Sequence, residues 1–146
     1  MIEFDYRKET LRAGDTIFRP VCKAYIMKLG NEWVAEYFYI DSGADYTLIP
    51  YRMGKFLGME KTASDVRDIG GIGGSIGVRF AVAHMKIGVH EFNCTIAWAQ
   101  VEHVPFLLGR ENVFECFDVT FLQRKKKTRF IWHNPHIKKK NEISQC

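Results

Sequence analysis

The stretch "FYIDSGADYTLIP", residues 38–50, decides how this chain is read. An apolar run (Phe38, Tyr39, Ile40) drives into an aspartate, continues as Ser-Gly-Ala, and leaves by a second apolar run closed by Pro50. A carboxylate at the tip of a buried strand is costly unless it is hydrogen-bonded or paired. Gly43 permits a turn that brings backbone N–H groups toward Asp41. Ser42 supplies a hydroxyl beside it, and Ala44 is small enough to leave the acid open. These features suit an acid positioned for chemistry. Asp-Ser-Gly is also ordinary turn chemistry, and on the triplet alone that plainer reading prevails.

Outward from this segment, short β-rich runs dominate. "IFRPVCKAYIMKLG" and "EWVAEYFYID" read as two strands joined at Gly30-Asn31. "YRMGKFLGM" reads as a helical turn or a loop, since two glycines oppose a long helix. "ASDVRDIGGIGGSIGVRFAVAHMKIG" reads as two strands flanking a glycine-rich tip, and "HEFNCTIAWAQ" as a further strand. "FLLGRENVFECF" begins as an apolar strand and turns at Gly109 into the best helix candidate, with Val113, Phe114 and Phe117 on one helical face. "VTFLQ" and "TRFIWH" alternate around "RKKK" as a hairpin. The expected fold is mainly β with one short C-terminal helix. A single domain over residues 1–135 precedes a basic tail, 136–146, with too little apolar content to pack.

Composition narrows the function classes. A chain of 146 residues with 47% hydrophobic content can bury one core. The formal charge of +4 owes much to "QRKKKTR" and "IKKK". The body is thus near neutral, which argues against nucleic acid as a partner. The opening "MIEFDYRKET" is charged, and no apolar run approaches the ~20 residues that cross a bilayer. A cytoplasmic location without a membrane partner is the expectation. The four cysteines, Cys22, Cys94, Cys116 and Cys146, are widely spaced, and reduced, mostly buried thiols are expected. His133 and His136 in "HNPH" are separated by a helix-breaking Pro135 with no thiol spaced nearby, so neither metal nor cofactor is expected.

The glycine-rich "RDIGGIGGSIGVRF" invites a phosphate-binding reading and fails it. Ile76 stands where a third glycine of GxGxxG would fall, no Lys-Ser/Thr follows, and the next element is a strand rather than a helix. What remains is a hairpin tip with an unusually free backbone, flanked by Ile69, Ile72 and Ile76: a mobile lid, or merely a flexible turn.

Taken together, the Asp-Ser-Gly-Ala-Asp-x-Thr segment, the Gly-Gly-Ile-Gly-Gly hairpin and Leu-Leu-Gly-Arg before a helix resemble the retroviral-type aspartic proteases, the retropepsins. Order and rough spacing match over about residues 21–132. The resemblance implies a closed β-barrel of the acid-protease type, working as a two-fold homodimer on a protein or peptide substrate. It implies that Asp41 is the catalytic carboxylate, within Asp41-Ser42-Gly43, and that Ser42 locks the two halves together. It maps a flap onto Arg67 through Ile76 and the Gly-Arg before the helix onto Gly109-Arg110. Substrate would lie extended along Ala44, Asp45, Ile49, Gly70, Gly71, Ile72, Gly73, Gly74, Ile76, Val104 and Phe106, with Asp45 facing substrate or a salt-bridge partner.

Only one Asp-Ser/Thr-Gly is present, because "AGDT" at 13–16 has the wrong order, so one chain is half a site. The C-terminal hairpin looks longer than the single terminal strand of the viral enzymes and is similar to cellular and bacterial retropepsin-like domains. The segment before Asp41 is longer too. The competing expectation is a catalytically silent retropepsin fold serving dimerisation or peptide binding. The intact Asp-Ser-Gly-Ala and glycine-rich hairpin argue against it.

Overall fold

Pro20 has no N–H to give to a sheet, and the run that reads as one strand from Ile17 to Gly30 is cut there. The computed structural model describes residues 1–71 and 73–133. Its strands begin with β1 (Ile2–Asp5), β2 (Arg7–Thr10), β3 (Thr16–Arg19), β4 (Val21–Lys28), β5 (Glu32–Ile40) and β6 (Thr47–Ile49). Helix α1 (Tyr51–Leu57) and a 3-10 turn, Met59–Lys61, lead to β7 (Arg67–Gly71), β8 (Gly74–Ile87), β9 (His90–Ala99) and β10 (Leu107–Leu108). Helix α2 (Val113–Cys116) precedes β11 (Phe117–Leu122) and β12 (Lys127–Trp132). The expectation of a mainly β chain holds.

Strands β4 and β5 form a hairpin turning through Gly30 and Asn31, both at positive φ, and β8 and β9 form the longest one. The order in the large sheet is β4-β5-β10-β6-β9-β8-β7. Strand β4 also pairs with β8, through Tyr25↔Lys86 and Ile26↔Met85, so the series of pairings returns to its first strand. Inside lie Ile26, Phe38, Ile49, Met85, Ile96 and Leu108, none with exposed surface. Each such side chain contributes roughly 1.5–3 kcal/mol over leaving it in water. A smaller apolar cluster joins Leu48, Val78, Ala97 and Ala99 to Ile69, Ile76, Val104 and Leu107, under the β7–β8 hairpin.

Several sequence expectations need correction. Among the described residues there are two short helices rather than one. The short helical turn expected in "YRMGKFLGM" is α1: a Cβ at Gly54 would run into the Trp98 indole, and Gly58 at φ 83° forms the left-handed cap that ends the helix. The candidate after Gly109 is the shorter of the two, four residues, because Phe117 is already extended and starts β11. The strand before it, β10, is only two residues long. The N-terminal residues, left unassigned from sequence, form β1, which pairs with β12 in a three-stranded sheet β1-β12-β11, and a separate β2–β3 hairpin.

Cys22 and Cys94 are buried free thiols, and burial pushes both up, Cys94 to about 12. Cys116 is buried as well. Among the described residues, no helix is long and apolar enough to cross a membrane. Residues 136–146, read as a basic tail, lie outside the described residues, as do Cys146 and His136.

Candidate active site

Asp41 is the first residue beyond β5, where the strand gives way to a turn. Its backbone N–H donates to the Leu108 carbonyl at 3.0 Å, and Ala44 N–H closes the turn onto the Asp41 carbonyl at 3.2 Å. Asp41 as a residue is partly buried, and its Oδ1 accepts the Gly43 N–H at 2.9 Å. A Cβ at Gly43 would stand 3.3 Å from that oxygen, so a side chain there would crowd the acid. The local chemistry expected of Gly43 is therefore present.

The short strand β10 holds the segment in place. It lies between β5, to which it is parallel, and β6, to which it is antiparallel, so the chains entering and leaving the Asp41 turn grip one strand. Beyond it, Arg110 N–H donates to Ala44 O at 2.9 Å and Glu111 N–H to Asp45 O at 2.8 Å. The Arg110 guanidinium donates to Ser42 O at 3.0 Å and pairs with the Asp45 carboxylate. Gly109 passes so close that a Cβ would overlap the Tyr46 backbone. Its N–H donates to the hydroxyl of Thr47, which has no exposed surface. Two braces escaped the sequence reading. Thr47 stood in the quoted motif without a role, and Asn112, at φ 67°, accepts the Thr95 N–H at 2.8 Å. A left-handed asparagine just past Gly-Arg was the available signal.

The remaining candidates divide by position. Ser42, Gly43 and Asp45 are exposed beside Asp41, and Ala44 is partly so. Gly70, Gly73 and Gly74 lie in the β7–β8 hairpin, whose register pairs Gly70 with Ser75 and Gly71 with Gly74. Ile72 lies outside the described residues. Ile76 and Val104 join the smaller apolar cluster, and Phe106 packs edge-on against Phe38 at 5.5 Å. Ile49 has no exposed surface and belongs to the main core, so its contribution here is packing rather than contact with a ligand.

Two cavities border this segment. One of about 370 Å³ reaches Asp41 and is lined also by Tyr39, Ile40, Leu107, Pro105, Glu9 and Arg19. The other, about 540 Å³, lies over Asp45, Tyr46, Arg110 and Glu111 and extends to α2. Among the described residues no group of three His, Cys, Asp or Glu side chains is gathered to hold a metal. His133, half of the "HNPH" pair, contacts Asp118 at 2.9 Å.

The architecture superposes on a retropepsin-like aspartic protease from Rickettsia conorii with a TM-score of 0.58, covering 88% of this chain and 98% of that one at 17% identity. The fold is retropepsin-like. A looser likeness, TM-score 0.44 at 18% identity, links 70% of the chain to 88% of the inhibitor-bound EIAV protease. No family model and no curated protein sequence matches the chain. The braced Asp41 turn lies within this retropepsin-like fold.

Proposed function

We propose that the chain is an aspartic endopeptidase whose active site is completed when two copies bring Asp41 and Asp41′ together across a two-fold axis. The observation that carries this reading is the Asp41 turn: a partly buried aspartate whose carboxylate accepts the Gly43 N–H and whose backbone N–H donates to the Leu108 carbonyl. The retropepsin-like fold supports it, and so does the single Asp-Ser-Gly, which leaves one chain with half of an acid–base pair.

Two carboxylates brought that close cannot both ionise, so the pair holds one proton between them. The ionised member removes a proton from water as it attacks the scissile carbonyl. The protonated member donates to the carbonyl oxygen, and the resulting diol collapses with proton transfer to the leaving amine. In this reading the ring of paired strands is a closed barrel, the β7–β8 hairpin is a flap, and the substrate lies extended between flap and floor as an added strand. Ser42, next to the acid, is the residue through which the subunits lock. Asp45 serves first as the ionic partner of Arg110, with its exposed edge left to substrate backbone.

The test is digestion of a peptide library by the wild type and by Asp41→Asn, each with and without a statine-type transition-state mimic. Cleavage that is inhibited by the mimic and falls at least about 100-fold in Asp41→Asn supports the proposal. Equal behaviour of the two proteins, with dimerisation or peptide binding intact, refutes it in favour of a silent module.

A further inference from the structure

The β7–β8 hairpin leaves the large sheet beside one guanidinium. Arg79 lies on β8 across from Trp98 of β9, and its guanidinium carbon stands 5.2 Å from the centroid of the Trp98 ring. Trp98 is buried, with its Nε1–H donated to Tyr51 O at 2.9 Å, so Arg79 leans on a fixed wall. From there it gathers the backbone that leads into β7. Nε donates to Ser64 O at 2.7 Å, and Nη2 reaches Ala63 O at 3.3 Å and Glu60 O at 3.5 Å. The Glu60 carboxylate turns elsewhere, to Lys55 at 2.5 Å.

This gathering falls where the sheet lacks a strand. Residues 63–66 carry no regular structure, and β7 pairs with β8 only from Arg67↔Val78 outward. Ser64 meets Phe80 twice: its N–H donates to Phe80 O at 2.8 Å, and its hydroxyl accepts the Phe80 N–H at 2.9 Å. The hydroxyl thus takes the part a strand carbonyl would play, and the Ser64 carbonyl itself is left to Arg79. Toward the hairpin, the Gly77 carbonyl accepts the Gln100 N–H at 2.9 Å. Both strands of the hairpin are therefore anchored at their base, and beyond it Ile69 and Ile76 rest on the smaller apolar cluster. Hydrogen bonds from a cation are stronger than neutral ones, and a planar fork serves several acceptors at once, as the single point of an ammonium does not.

We infer that Arg79 is a positioning residue, holding residues 60–64 on β8 so that the hairpin bends beyond Ser64 and not before it. The inference rests on the proteolytic reading, in which the hairpin is the flap, and Arg79 acts through that hairpin rather than on the reacting atoms. With residues 60–64 released, the closed arrangement becomes a smaller share of the population, and the apparent affinity for an extended ligand falls by that share. The chemistry at Asp41 is left alone, so the loss falls on binding and not on turnover of substrate already held.

The test reads local order and kinetics side by side in Arg79→Met, Arg79→Lys and Ser64→Ala. At one fixed pH, hydrogen-exchange protection in Arg79→Met should fall about tenfold or more over residues 63–71 and stay within about twofold in β4, β5 and β9. For a peptide cleaved in an Asp41-dependent way, KM should rise about tenfold or more while kcat changes less than about threefold. Arg79→Lys and Ser64→Ala should show smaller changes of the same kind, and they decide by the same readouts if Arg79→Met does not fold. Unchanged hairpin protection, protection lost throughout the sheet, or an unchanged KM overturns the inference while leaving the protease reading intact. If no peptide is cut in an Asp41-dependent way, the protease reading fails and exchange alone decides: loosening confined to residues 63–71 supports the role of Arg79, and either other pattern overturns it.

Discussion

The Asp41 segment and the β7–β8 hairpin are both rich in glycine, for opposite reasons. Around Asp41, glycine is where the backbone is crowded: a Cβ at Gly109 would enter the Tyr46 backbone, and one at Gly43 would press on the carboxylate. In the hairpin, a Cβ at Gly70, Gly73 or Gly74 would meet nothing within 4 Å. Gly73 and Gly74 owe their identity to positive φ, at 108° and 130°, and not to packing. One glycine set lets chains approach closely, and the other stands in open space. The proposed protease would use the first to fix its acid and the second in its flap.

The sharpest way to break this contrast is to add one methyl on each side. Gly109→Ala has no flexible neighbour to yield, since the obstruction is backbone, and should cost about 3 kcal/mol, lowering Tm by about 10 °C. A thermal melt within 2 °C of wild type, a shift of about 1 kcal/mol or less, would show that the crowding relaxes. Next in size is Thr47→Val, which removes the acceptor of the Gly109 N–H in a fully buried position. Denaturant unfolding should show a loss of about 1–3 kcal/mol, the cost of an unpaired buried donor.

A smaller effect tests the β2–β3 hairpin, where the Tyr39 hydroxyl donates to Glu9 Oε2 at 2.6 Å. Chiefly the Tyr39 hydroxyl, then Arg7 and Arg19, holds the Glu9 carboxyl below its ordinary value of 4.5. A lowered value in the folded state means that the stabilisation is complete above 4.5 and is lost as pH falls through that lowered value. The protection factors of the β2–β3 amides, that is, exchange corrected for its intrinsic slowing in acid, should therefore be high at neutral pH and fall in that acidic window, whereas Glu9→Gln should flatten the profile. Acid-independent protection in the wild type would contradict the cluster's role. Smallest of all, Gly70→Ala should change stability by no more than ~0.5 kcal/mol, because its φ suits any residue and the space is open. If the hairpin is the cover, turnover should change more than stability does.

Much of this was legible in the sequence. The alternation of "EWVAEYFYI" and "HEFNCTIAWA" places strands, and Asp-Ser-Gly-Ala places the acid at a strand tip. What sequence could not reveal is long-range. Gly54 looks like a helix breaker until Trp98, forty-four residues away, fills the space where its side chain would be. β10 is too short to show a period, and exists as a strand only because β5 and β6 flank it. The charged N-terminal residues carry no apolar run, so nothing in them announced that Glu9 would reach Tyr39 across thirty positions.

The most direct test of the account is a mixing experiment. Wild-type and Asp41→Asn subunits are combined at varied ratio and fixed total concentration, allowed to exchange, and assayed on one peptide. If each site needs an Asp41 from both chains, activity follows the square of the wild-type fraction, so an equal mixture retains about a quarter. A linear dependence, with an equal mixture retaining half, would mean that each chain carries a complete site of its own, and the shared pair of acids would have to be abandoned.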